Sequence, residues 1–359
     1  MQISKTDLIQ ALTRVLPGVE KGNPSLEGTD TVIFSGHAVH TFNNSIAVTT
    51  KLPDAVEGIT AAFKALPFFK LIKSLTGDTI TITEMEKGYV VASEDSEAEL
   101  PKLEATVEAY IETMQAMELE YKQLPDDFRD ALVLCHMPNN KENLTRGVVV
   151  DANTMVSTDR QRFNLYPFES AIASFRLDLP IVAELVKLDG FKEMAISSAW
   201  VHFRMEDGGI VCVKRMDHTS FPMAPAKMSE MLNTLKARPA IFNGTLPAGL
   251  QSAISSASIF GEGQNTTSGV VALVSLDFKK DKIIVKGESG VGRLRKSVKL
   301  EETLDEDPNI APVVVHGQFL SEASRKAMRF LLVSQKDGDA PFMVFESDRY
   351  THVAVTVQL

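Results

Sequence analysis

Leu66-Pro67-Phe68-Phe69-Lys70-Leu71-Ile72-Lys73-Ser74-Leu75-Thr76-Gly77 and Leu179-Pro180-Ile181-Val182-Ala183-Glu184-Leu185-Val186-Lys187-Leu188-Asp189-Gly190 follow one pattern. Each opens on Leu-Pro and closes on glycine. Apolar residues fall at matching positions, 68 with 181, 69 with 182, 72 with 185 and 75 with 188. Residues three and four apart share a helix face, so each stretch predicts a helix with one apolar stripe. Gly77 and Gly190 suit helix C-caps. A shorter, poorer counterpart runs from Phe319 to Lys326.

Working outward, a second repeat precedes these helices. Met1-Gln2-Ile3 leads into Lys5 to Val15, Leu119-Glu120-Tyr121 into Pro125 to Leu134, and Ile241-Phe242 into Pro247 to Ala257. Without gaps, Leu8, Phe128 and Leu250 coincide, as do Ala11, Ala131 and Ala253, and Leu12, Leu132 and Ile254. The offsets are 120 and 122 residues. Pro125 and Pro247 suit a first helical turn, where no amide donor is needed.

After each second helix come paired runs with the alternation or β-branching of hairpins. These are Thr79 to Ile82 with Tyr89 to Val91, Trp200 to Phe203 with Ile210 to Val213, and Phe330 to Val333 with Phe342 to Phe345. The repeating unit reads strand, helix, strands, helix, strands. An acidic stretch from Glu94 to Glu120 joins the first two units, and Lys227 to Arg238 joins the last two. The expected organisation is three tandem α+β domains, 1–116, 117–236 and 237–359.

Composition narrows the function. The 359 residues are 44% hydrophobic, enough for substantial cores and too many for a disordered chain. With 47 acidic against 37 basic residues the formal charge is −10, the wrong sign for a protein that coats nucleic acid with its whole surface. The sequence has neither a secretory signal pattern nor an apolar run of transmembrane length. Cys135 and Cys212 stand far apart, which predicts inert thiols in a reducing cytoplasm.

Val156-Ser157-Thr158-Asp159-Arg160-Gln161-Arg162-Phe163 carries the strongest local likeness to a known family. The chain resembles the bacterial sliding clamp, the beta subunit of DNA polymerase III, whose second domain shows an Ala-Thr-Asp-Gly-His-Arg-Leu type of segment here. Gln123-Leu124-Pro125, Phe221-Pro222, Leu246-Pro247 and the chain end from Val353 to Leu359 also fit, in the same order. Two departures stand out. Arg160-Gln161 replaces Gly-His, and Val355-Thr356-Val357-Gln358-Leu359 replaces Met-Pro-Met-Arg-Leu. Such divergence looks more like a phage-encoded member than a cellular one.

The resemblance implies a DNA clamp fold and a non-enzymatic processivity factor. Two copies would join head to tail into a ring around double-stranded DNA, with helices inside and antiparallel sheets outside. It implies basic residues on the helices, for which Arg14, Lys64, Lys70, Lys73, Arg129, Lys187, Arg325 and Lys326 are the candidates. Phosphate contacts of that kind hold duplex without reading its sequence. The resemblance also implies a hydrophobic pocket for short motifs of a DNA polymerase and clamp loader. By position it comprises Leu144, Thr158, Arg162, Phe163, Pro239, Val353, Val355, Val357 and Leu359.

Competing chemistry is sparse. Gly287-Glu288-Ser289-Gly290-Val291-Gly292 matches the glycine spacing of a phosphate loop, but Arg293-Leu294 follows where Lys and Ser/Thr belong, and Lys296-Ser297 comes three residues late. A glycine-rich hairpin turn is the better reading, and a P-loop-like nucleotide site the alternative. A clamp-like structural protein that does not close is a further alternative. The seven histidines are scattered, His37 and His40 lack a nearby third ligand, and no catalytic constellation, metal site or cofactor is expected.

Overall fold

Ser4 opens the first helix. Its hydroxyl accepts from the Asp7 amide at 3.4 Å, and Asp7 and Arg14 complement the helix dipole at opposite ends. The computed structural model describes residues 1–54, 56–104, 107–115, 117–137, 144–266, 269–304, 306–308, 310–334 and 341–357.

The first repeat begins with β1 (Gln2–Ser4), α1 (Lys5–Val15), β2 (Thr31–Gly36), β3 (Ala38–Phe42), β4 (Ile46–Lys51) and β5 (Ile59–Lys64). It continues through α2 (Ala65–Ser74), β6 (Thr79–Met85), β7 (Gly88–Ala92) and β8 (Glu97–Pro101). A linker helix, α3 (Glu108–Gln115), follows.

The second repeat starts with β9 (Lys122–Gln123), α4 (Phe128–Cys135), β10 (Val148–Asp151), β11 (Thr154–Thr158), β12 (Arg162–Pro167) and β13 (Phe175–Leu177). It ends with α5 (Leu179–Leu185), β14 (Phe191–Ile196), β15 (Trp200–Met205) and β16 (Ile210–Lys214), followed by linker helix α6 (Pro225–Lys236).

The third repeat holds β17 (Ala240–Thr245), α7 (Leu250–Ser258), an added β18 (Gly263–Thr266), β19 (Gly269–Phe278), β20 (Lys282–Ser289) and β21 (Gly292–Lys299). Then come β22 (Val313–His316), α8 (Gly317–Ser324), β23 (Arg329–Val333), β24 (Phe342–Glu346) and β25 (Thr351–Val355). The order strand, helix, four strands, helix, three strands thus occurs three times.

Strand pairing repeats as well. Within each repeat the four strands after the first helix form one sheet, and the first strand joins the last three in another. Neighbouring repeats fuse these sheets. β4 pairs with β16 and β12 with β25, giving two eight-stranded antiparallel sheets, β5-β2-β3-β4-β16-β15-β14-β9 and β13-β10-β11-β12-β25-β24-β23-β17. Compactness follows these fused sheets. One unit holds Met1–Arg129 with Ala183–Met216, and the other Asp130–Val182 with Asp217–Leu359, so the division crosses the second repeat at α4 and α5.

The aligned stripes are the cores. Leu8, Leu12, Phe128, Ala131, Leu132, Leu250, Ala253 and Ile254 are all buried. Burying one such large side chain contributes about 1.5–3 kcal/mol.

Two local expectations are corrected and two are refined. Pro125 and Pro247 lie ahead of α4 and α7, in turns whose proline carbonyls accept from the Phe128 and Leu250 amides at 3.0 and 3.1 Å. Gly77 and Gly190 do not cap helices. Leu75 already leaves α2 in an extended conformation, and the glycines turn the chain into the next strand at φ +79° and +74°. The hairpin expected from Trp200 to Val213 forms as β15 and β16, and the added strand β14 ahead of it makes it the last two strands of its triplet rather than the first two. Last, the stretches expected to join the repeats carry regular structure of their own. The acidic one contains β8 and α3, which with Val107 just ahead of it buries Ile111 and Met114, and the other is α6, which buries Met228, Leu232 and Leu235.

Candidate functional site

The β12–β25 pairing decides where the expected pocket residues go. Residues directly opposite on neighbouring strands share a face. Thr158, Phe163, Val353, Val344 and Leu331 therefore form one row across five strands. Phe163 and Val353 are 5% and 2% exposed, packed with Val344 against Met228, Leu232 and Leu235 of α6. Along the strands the next positions on this face are Val355 and Phe342, which pair and are half-buried. Val357, also half-buried, bridges to Val314. Pro239 is exposed just after α6, and Leu144 is 55% exposed, its carbonyl accepting from Arg176. Leu359 lies outside the described residues. In the other direction along the same face is a groove of about 600 Å³, lined by Leu165, Leu232, Lys236, Met328, Glu346 and Arg349; it contains none of the expected pocket residues.

Arg162 faces the opposite way, and the expectation that it lines the pocket is corrected. Adjacent strand residues point to opposite faces, so Arg162 lies with Ala354 and Met343 on the side of α8. Its fully buried guanidinium donates to Asp159 at 2.8 Å and Glu322 at 2.5 Å, and sits 3.9 Å from the Phe319 ring centre. Thr158 is on the pocket face, but its hydroxyl is committed to the hairpin, donating to the Arg162 carbonyl at 2.7 Å. The turn between them is where Arg160-Gln161 stands in place of Gly-His, and it does not favour the arginine. Arg160 adopts φ +72°, a left-handed conformation that glycine accepts without strain.

Beyond Arg162 the same face carries a buried polar network that sequence reasoning missed. Asn164 accepts from the Tyr350 hydroxyl and from His352 Nδ1, both at 2.6 Å, and donates to the Ser157 hydroxyl at 3.0 Å. Ser157 in turn donates to the Cys135 carbonyl at 2.5 Å. Burial, reinforced by the Arg162 and Lys326 charges, holds the His352 imidazole well below its usual range, so it is neutral. Burial pushes the Cys135 thiol up to about 12, and Cys212 likewise. The available signal was polar residues at positions of β12 and β25 whose neighbours alternate as core.

The eight basic candidates divide. Lys70 and Lys73 are exposed on α2, with Lys73 4.3 Å from the Phe69 ring centre. Arg325, just past α8, is exposed, and Gln251 accepts from its guanidinium at 3.0 Å. Lys187 is exposed but paired with Glu184, and Lys64 with Asp30, at 2.7 and 2.8 Å. The other three serve the fold. Arg14 pairs with Asp207 and Asp189. Arg129 donates to the Leu188 and Val186 carbonyls beyond α5, and Lys326 to those of Val133, Leu134 and His136 at the end of α4. Cationic side chains there satisfy carbonyls left open at a helix end.

The glycine-rich segment is a hairpin. β20 and β21 are extended on both sides of a two-residue turn, Gly290-Val291, so the helix N-terminus of a phosphate loop is not formed. Gly287 has a packing reason, since a Cβ there would lie 1.9 Å from the Ala257 carbonyl oxygen.

No protein-family model and no curated protein matches this sequence. Solved structures do match. The beta subunit of DNA polymerase from Streptococcus pyogenes aligns over 100% of this chain and 99% of its own, at TM-score 0.76 and 16% identity. The Bacillus subtilis DNA polymerase sliding clamp aligns over 100% and 98%, at 0.75 and 16%. The Helicobacter pylori beta clamp bound to a DNA ligase peptide aligns over the whole of both chains, at 0.72 and 14%. At such identity the likeness is one of architecture. The chain has the α+β fold of the DNA polymerase III beta subunit, the three-domain sliding-clamp fold, from end to end.

Proposed function

We propose that this chain is a non-enzymatic DNA sliding clamp, two copies of which close head to tail around duplex DNA in the cytoplasm. The strand-pairing rule carries the reading. The fourth strand of one repeat pairs with the last strand of its neighbour, as β4 with β16 and β12 with β25. Applied once more, the rule leaves β21 at one sheet edge and β8 at another, each with a neighbour on one side only among the described residues. A second copy supplies what each edge lacks, and two heterologous contacts close six repeats into a ring. The full-length likeness to solved clamps supports this reading.

The exposed Lys70 and Lys73 and the Arg325 guanidinium are the residues best available for phosphates. The face holding Phe163, Val353, Val355 and Phe342 is the proposed seat for short apolar motifs of a polymerase and its loader. The ligase peptide on the Helicobacter pylori clamp supports such a use. The test is DNA binding across a salt series. Lys70→Glu with Lys73→Glu should weaken binding and flatten its salt dependence, by a slope of roughly 0.9 per lost phosphate contact. Unchanged affinity and slope would refute the DNA-facing assignment.

A further inference from the structure

Two of the three junctions that the pairing rule generates lie within the chain, and their registers can be carried to the third. The hairpins that lead into β4, β12 and β21 all have two-residue turns, Asn44-Ser45, Arg160-Gln161 and Gly290-Val291. Ile46, Arg162 and Gly292 are therefore equivalent first residues after the turn. On the partner side, β25 and β8 also follow two-residue turns, Asp348-Arg349 and Glu94-Asp95, which makes Thr351 equivalent to Glu97 and Val353 to Glu99.

The observed register pairs Phe163 with Val353 and Leu165 with Thr351. Resting on the proposal that two copies close a ring, we infer that β21 of one copy pairs with β8 of the other, Arg293 opposite Glu99 and Arg295 opposite Glu97. This junction then closes on charge and opens as salt rises.

The side chains fit that register. Arg293, Arg295, Glu97 and Glu99 are exposed, while the intervening Leu294 and Ala98 are half-buried on the other face. None of the four charged residues has an ion-pair partner among the described residues. Their equivalents at the internal junctions are apolar or small. Ala47 meets Cys212 beneath α3, and Phe163 meets Val353 beneath α6. Opposite charges directly across an antiparallel pair attract, and like charges repel. Attraction between exposed groups is screened as the Debye length falls from about 10 Å at 0.1 M salt to about 3 Å at 1 M. The two internal junctions bury apolar surface, which salt does not weaken in this way.

Sedimentation equilibrium of the full chain tests the inference. Wild-type dimers should dissociate progressively as salt rises. Glu97→Arg with Glu99→Arg should weaken dimerisation at least about tenfold, as should Arg293→Glu with Arg295→Glu, and all four together should restore it. Register is read by oxidation. Glu99→Cys with Arg293→Cys should give a covalent dimer faster than Glu97→Cys with Arg293→Cys, the native thiols being buried. A dimer indifferent to either reversal, or cross-linked faster out of register, overturns the charged ladder and leaves the ring standing. A wild type that stays monomeric at micromolar concentration in low salt overturns both.

Discussion

The two internal junctions share one backbone plan but treat the same place on it differently. Register equivalence makes Thr158 the counterpart of Phe42, and Phe342 that of Trp200. At the first junction Phe42 stacks on Tyr110 of α3 at 5.7 Å and lies 6.3 Å from Trp200, so aromatic rings from the chain itself fill the site. At the second, the small Thr158 replaces the ring, and Val355 stands where the first junction has the exposed Lys214. One junction is plugged from within, while the other leaves Val355 and Phe342 half-buried. A fold can thus be copied by repeating its pattern, while the proposed peptide seat differs from its counterpart at only two or three side chains.

The opposite faces differ as sharply, and the largest expected effect lies there. Arg162 occupies the position of Ile46, and Arg162→Ile leaves Asp159 buried without its partner. Loss of about 3–5 kcal/mol in urea unfolding is expected; near-neutrality would mean that the pair contributes little. Next, Thr158→Phe imitates the plugged junction. It should cost at least about 2 kcal/mol in binding a short apolar motif peptide while leaving dimerisation intact, as read by fluorescence anisotropy. Unaltered peptide affinity would move the site elsewhere.

A smaller effect concerns the turns. Arg160→Gly should add about 1 kcal/mol of stability by relieving the left-handed backbone, and Asn44→Gly less, since asparagine tolerates φ +66° better. Equal gains at both turns would contradict this.

Smallest at neutral pH is the His352 contribution, which replaces Val211 of the first junction. Its folded value lies below the unfolded value near 6.5, so the unfolded chain binds more protons between the two. That stability is complete above about pH 6.5 and is lost as pH falls toward the folded value. Burial lowers His40, His202 and His316 in the same direction. The test is therefore the difference between wild type and His352→Phe, whose stability should vary less between about pH 5 and 6.5. Identical profiles would contradict the assignment.

Helix stripes were legible because a 3.6-residue period survives divergence, and Leu8, Phe128 and Leu250 mark equivalent places. β8 was not, since Glu97-Ala98-Glu99-Leu100 reads as part of an acidic linker until its pairing with β7 is seen. Arg162 was misassigned for a related reason. Position in a motif locates a residue along the strand, but its face depends on the pairing partner. The roles of Arg14, Arg129 and Lys326 were equally hidden, because the carboxylates and carbonyls they bind lie 57 to 193 residues away.

Encirclement is the central claim, and topology tests it most directly. The protein is placed on nicked circular DNA with its loader, freed of unbound protein, and the DNA is then cut once. A clamp stays on the circle through washing and slides off the linear product. Equal retention on both forms would show ordinary surface binding and contradict the account.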